Sequence, residues 1–399
     1  MKAVNVGAHV AAATVVFLMT LFPIGVARAA DGTERAAAEA RQWPIFRGDR
    51  GLTGHRSEFI PRTLEPVWTF KADSALSSSP VLSHDRVYIG SSEGTFYALS
   101  LEDGGEAWTA TFDDSFEAAP LLVDDYVIIG GLSGTLYAMD RSNGRIRWRY
   151  EAENRIAGSA NWAQLPNGKK IVLAGSYDTR VHAVWLATGE KVWSYETGSY
   201  INGTPAVNGE RVVVGGCDAL VHVLNIDDGS LRMEIDVGSY IPGSAAVADG
   251  RAYVGHYGNQ TVCVDINGGF VVWEYGDAKN GSPFFASPAV NENVVVVGSR
   301  DKAVHCIARQ TGDKLWTART RGDVDSSPVI AGNCVVTASG DGRVYLFDLA
   351  TGADLWSYEI GAPIIACPAV LPDGFVIAAD DGRVYRFADP GSTRREATP

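Results

Sequence analysis

Cysteine is scarce in this 399-residue chain, and its five copies are scattered, with no CxxC and no adjacent pair. That pattern excludes zinc ribbons, thioredoxin-type redox motifs and small disulfide scaffolds, and an odd count leaves at least one thiol free. Positive charge is also short: 34 Lys and Arg face 47 Asp and Glu, a formal charge of −13. Such a surface repels phosphate backbones and anionic headgroups, so nucleic acid is not expected as a partner. No GxSxG elbow, HExxH helix or P-loop stands on the strand or helix it requires, and no CxxCH haem motif occurs. Beyond the N-terminus no stretch keeps helical periodicity.

One long apolar run exists, Val10 to Val26, preceded by Lys2 and followed by Ala27-Arg28-Ala29. At about 17 residues it is short for a membrane span and has the order of a secretory signal with a small-residue cleavage site. The expectation is residues 1–29 as signal peptide and a mature protein in the periplasm or secreted, without an integral membrane segment. Losing Lys2 and Arg28 takes the charge to −15. The first cysteine is Cys217, so the lipidated cysteine of a bacterial lipoprotein is missing.

What is abundant is glycine, 44 residues, together with Val, Tyr and Trp, a mix that favours strands and tight turns. Trp68, Trp108, Trp148, Trp193, Trp273, Trp316 and Trp356, with Met233 in the one gap, are spaced 40, 40, 45, 40, 40, 43 and 40 residues apart. A glycine stands four residues before each of these except Trp68, as a turn with positive φ requires. Forty residues suits one four-stranded blade, so the pattern predicts an all-β, eight-bladed propeller over residues 66–390. Residues 30–65 read as a lead-in and 391–399 as a disordered tail. The eighth hairpin lacks its own Trp segment and Trp68 lacks a hairpin, so Pro66 to Phe70 is expected to close the ring as the outer strand of the last blade. A monomeric ring follows.

A common register starts each blade at Pro80, Pro120, Ala160, Pro205, Ala245, Pro288, Pro328 and Pro368. Two residues earlier every residue is small, and four earlier every residue is apolar, as strands converging on an axis demand. His182, His222 and His305 fill a slot that holds Tyr in four other blades and read as satisfied imidazoles rather than metal ligands.

GTLYAMDRSNGRIRW and RVYLFDLATGADLW resemble the tryptophan-docking repeat of the pyrroloquinoline quinone (PQQ) propeller superfamily, and in size the chain is similar to BamB-like periplasmic propeller proteins. The segment from Trp43 to Gly54 also resembles the lead-in of secreted members. The resemblance implies two functions. One is a non-catalytic scaffold that binds a protein partner through loops on one face, with Trp162, Tyr200, Tyr240, Phe284 and Phe285 as candidate anchors and no cofactor expected. The other is a PQQ- and calcium-dependent dehydrogenase of an alcohol or sugar, its axial site drawn from Glu117, Asn202 and Asp325 with Arg155 nearby. Blades of near-constant length leave no insertion to form a lid, which favours the scaffold.

Overall fold

The computed structural model describes residues 1–3 and 41–390; the signal and tail expectations lie outside the described residues. Residues 41–390 contain strands and no helix, and none of the described residues forms a helix able to cross a membrane. Eight four-stranded antiparallel sheets follow one another along the chain. Blade 1 begins at Val81–Leu82, blade 2 at Leu121–Val123, blade 3 at Asn161–Gln164, blade 4 at Ala206–Asn208 and blade 5 at Ala246–Ala248. Blade 6 begins at Ala289–Val290, blade 7 at Val329–Ala331 and blade 8 at Ala369–Leu371. Glu65–Lys71 pairs antiparallel with Arg383–Ala388, placing Trp68 opposite Arg386, so the N-terminal strand closes blade 8 as the repeat count predicts.

Adjacent blades are joined by three repeated devices. The indole N–H of Trp68, Trp108, Trp148, Trp193, Trp273 and Trp316 donates to a backbone carbonyl of the next blade at 2.8–3.1 Å. Its ring lies against that blade's turn glycine, whose φ is between +71° and +79°. Any Cβ there would overlap the indole, so both backbone angle and close approach require glycine.

The second device encircles the axis. At the residue before each register position, a backbone N–H donates to the side-chain hydroxyl of the same position in the following blade: Ala119 to Ser159, Ser159 to Thr204, Thr204 to Ser244, Ser244 to Ser287, Ser287 to Ser327 and Cys367 to Ser79. The two missing links are those whose acceptor would be Cys367 or Ala119, where the hydroxyl is replaced.

The third device uses the Tyr/His slot on each third strand. His182 Nε2 donates to Asp178 at 2.9 Å and its Nδ1 lies 2.9 Å from Tyr150 Oη of the preceding blade. His222 sits likewise between Asp218 and Tyr195, and His305 between Asp301 and Tyr275. The tyrosines of the slot bond at Asp73, Asp114, Asp341 and Asp381. These imidazoles are therefore satisfied junction groups, and no group of three His, Cys, Asp or Glu able to hold a metal forms among the described residues.

The lead-in is part of the ring. From Trp43 to Arg56 it runs along the C-terminal ends of the inner strands and bonds to each blade in order. Trp43 pairs with Leu82, and the Pro44 carbonyl accepts from Leu122. Arg50 accepts from the Asn161 side chain and Val207, and Gly51 from Val247. Thr53 accepts from Val290 and Gly54 from Ile330, while the Arg56 guanidinium reaches the Val370 carbonyl. His55–Arg56 adds a fifth, parallel strand to blade 7. Arg47, fully buried, donates to the Pro328 and Pro288 carbonyls at 2.6 and 3.0 Å and to Cys367 Sγ at 3.4 Å.

Candidate functional site

The inner strands end under this strap, so recognition is sought at their N-terminal ends, where irregular loops sit on a rigid ring. Three positions per blade meet there. After each second strand comes a turn residue whose N–H donates to the carbonyl five residues before the register position: Tyr177 to Arg155, Cys217 to Tyr200, Tyr257 to Tyr240 and Arg300 to Pro283. The third position lies three residues before the register. Blades 1, 2, 7 and 8 fill these places with Ala75, Ser77, Ser92, Ser115, Glu117, Leu132, Asp323, Asp325, Gly340, Pro363, Ile365 and Asp380.

Blades 3 to 6 differ. Tyr200, Tyr240 and Tyr257 are 50%, 58% and 48% exposed. Arg155 stacks on Tyr177 at 3.8 Å, and Tyr177 stacks on Tyr200 with centroids 5.1 Å apart and planes at 13°. Tyr257 packs on Phe285 at 4.5 Å, and Arg300 covers Phe285 at 3.6 Å. The result is an arc of aromatic rings on half of one face, with two ring pairs each braced by a guanidinium group and Tyr240 between them. The repeat does not need it, because the other four blades close without aromatics there.

Of the expected anchors, Tyr200, Tyr240 and Phe285 lie in this arc. Phe284 does not: it is 3% exposed, packed against Tyr275 and His305, because it falls in the apolar register that feeds the core. Trp162 sits at the other end of the inner strand, between Arg50 of the strap and Lys170. Sequence reasoning missed Tyr177, Tyr257 and Arg300; aligning the residue after each second strand across the eight units would have found them.

The axial cofactor set does not assemble. Both Asp325 oxygens are held by Arg300, at 3.0 and 2.8 Å. Asn202 accepts from the Tyr177 hydroxyl and its amide nitrogen is 3.7 Å from Cys217 Sγ. Arg155 is engaged with Tyr177, and Glu117 is exposed on blade 2. Calcium needs several oxygens converging on one point, and these residues present none that do, so they do not fit a calcium–quinone centre.

All five cysteines are free. Burial raises the Cys263 thiol to about 11 and the Cys306 thiol to about 12, consistent with packing residues rather than nucleophiles.

Comparison with known proteins places this geometry. A family model described as outer membrane protein assembly factor BamB matches residues 58–202 and 178–388. No curated protein matches the chain. Among solved structures, BamB from Moraxella catarrhalis is 21% identical with a TM-score of 0.68, covering 82% of this chain and 98% of that one. The computationally designed Ika8 protein is 19% identical with a TM-score of 0.71, covering 82% and 100%. The quinohemoprotein alcohol dehydrogenase of Comamonas testosteroni is 15% identical with a TM-score of 0.72, covering 90% and 82%. Likeness at such identities shows the fold alone, whereas the family match runs through every blade of the ring: the chain belongs to the BamB family of PQQ-like propellers.

Proposed function

We propose that this chain is an exported, non-catalytic scaffold that binds a protein partner through the aromatic arc of blades 3 to 6. The carrying observation is the exposure of Tyr200, Tyr240 and Tyr257 at positions the fold leaves free. Large aromatic side chains offer contact area at low conformational cost and dominate protein interfaces. The guanidinium groups of Arg155 and Arg300 hold the rings in place before any partner arrives, which lowers the ordering cost of binding. Family membership and the signal-like N-terminus support export. The quinoprotein alternative lacks support from the donor set described above.

The test is site-specific photocrosslinking in cells from positions 200 and 240, with position 188, among the loops on the strap side, as control. A discrete adduct from 200 and 240 and none from 188 supports the reading. Equal adducts from all three, or none from 200 and 240, would sink it.

A further inference from the structure

The junction between blades 4 and 5 is the one whose slot holds neither Tyr nor His. Ile235 stands for the tyrosine, Val262 for the histidine and Gly258 for the aspartate. A recess of about 460 Å³ opens beside it, lined by His256, Gln260, Glu274, Asp236 and Ser239. His256 is 2% exposed. Its Nδ1 accepts the Gly258 N–H at 3.0 Å, which puts the ring proton on Nε2, and Nε2 has no acceptor among the described residues. Burial holds this imidazole below its ordinary pKa, hence neutral. Gly258 is required by the arrangement, since a Cβ there would stand 2.9 Å from the imidazole.

The inventory of free groups selects the ligand. Glu274 gives one oxygen to the Gln260 amide at 3.0 Å, and Asp236 gives one to the Gly238 N–H at 2.8 Å; each keeps a second oxygen. The recess thus offers the free oxygens of two carboxylates beside three side-chain donors, the His256 Nε2–H, the second N–H of Gln260 and the Ser239 hydroxyl. An ammonium group supplies nothing for the Nε2–H to bond, and a carboxylate supplies nothing to the two acids. Adjacent hydroxyl groups do both. Tyr240 and Tyr257, next in sequence to the lining residues Ser239, His256 and Gly258, are joined through their backbones at 3.0 Å and are 58% and 48% exposed, aromatic surface of the kind that packs on the C–H face of a sugar.

We infer that the blade 4–5 junction binds a pyranose, with the His256 Nε2–H donating to one ring hydroxyl, Glu274 and Asp236 accepting from its neighbours, and Tyr240 or Tyr257 covering a C–H face. The site shares Tyr240 and Tyr257 with the protein-binding arc but does not depend on that reading. The experiment titrates the intact mature protein with methyl β-glucopyranoside, methyl β-galactopyranoside and N-acetylglucosamine while following by NMR the backbone amides of blades 4 and 5, together with the His256 ring nitrogens where His256 is present. The expected result is a saturable shift with at least one of them, weakened at least tenfold in Glu274→Gln and abolished in His256→Ala. Glu274 is exposed, so its variant keeps the test valid where His256→Ala fails to fold. Silence toward all three sugars at tens of millimolar, or a shift undiminished in Glu274→Gln, overturns the proposal. Glu274→Gln is expected to leave photocrosslinking from position 200 unchanged, so the two readings fail separately.

Discussion

Arg47 is the residue that most needs a physical account, because a fully buried guanidinium ordinarily takes a carboxylate partner. Here it is held by two backbone carbonyls and a thiol, and its Nε has no partner among the described residues. Arg47→Ala leaves a cavity and unpaired carbonyls and is expected to cost about 2–4 kcal/mol. Arg47→Met leaves the same two carbonyls unpaired but fills most of the volume, which removes the cavity part of the cost. Chemical denaturation of the two variants should therefore separate them, with methionine the milder. Equal loss in both would show that charge, not volume, is what the site requires. A second residue-scale prediction concerns acid. His182 and His256 are pushed below 6.5 chiefly by burial. The unfolded chain then binds more protons than the folded one below that value, so their contribution is full above 6.5 and lost as pH falls. The melting temperature should drop between pH 7 and pH 5, and less steeply in His256→Gln; a flat profile would contradict the assignment.

At the scale of the element, the docking turns were legible because the same physics is written seven times. A glycine at fixed distance from a tryptophan recurs wherever an indole must pack on a left-handed turn. Met233 is the exception, and Gly269 faces its sulfur at 3.6 Å rather than an indole. Met233→Trp places an N–H near the Ile266 carbonyl, by analogy with Trp193 and Ile226. One added hydrogen bond is expected to stabilise the ring by about 0.5–1.5 kcal/mol, and a lowered melting temperature would show that blade 5 cannot accept the ring. The strap was not legible as a structural element. Its residues occur once, have neither strand nor helix periodicity, and acquire meaning only when eight strand ends surround them. Phe284 was misjudged for the opposite reason: an aromatic beside a three-residue insertion looks like a loop anchor, yet its register position is one that every blade uses for core.

For the whole molecule, the chain is closed twice. Glu65–Lys71 completes the outer edge of blade 8, and the strap stitches all eight inner strands. Ring architecture was readable from period alone, whereas the functional face was only half readable, because its logic lies in which blades depart from the repeat. Four neighbouring blades carry aromatics at positions where the other four carry none, and that asymmetry sets one half of the face apart from the other. The central claim is that this arc is a protein-binding surface. Its most direct test is the affinity of the crosslinked partner, once purified, for wild-type protein and for the Tyr200→Ala, Tyr240→Ala double variant. Loss of two central aromatic anchors should raise Kd by roughly a hundredfold with the melting temperature unchanged. An unaltered Kd would contradict the account and remove the arc from the interface.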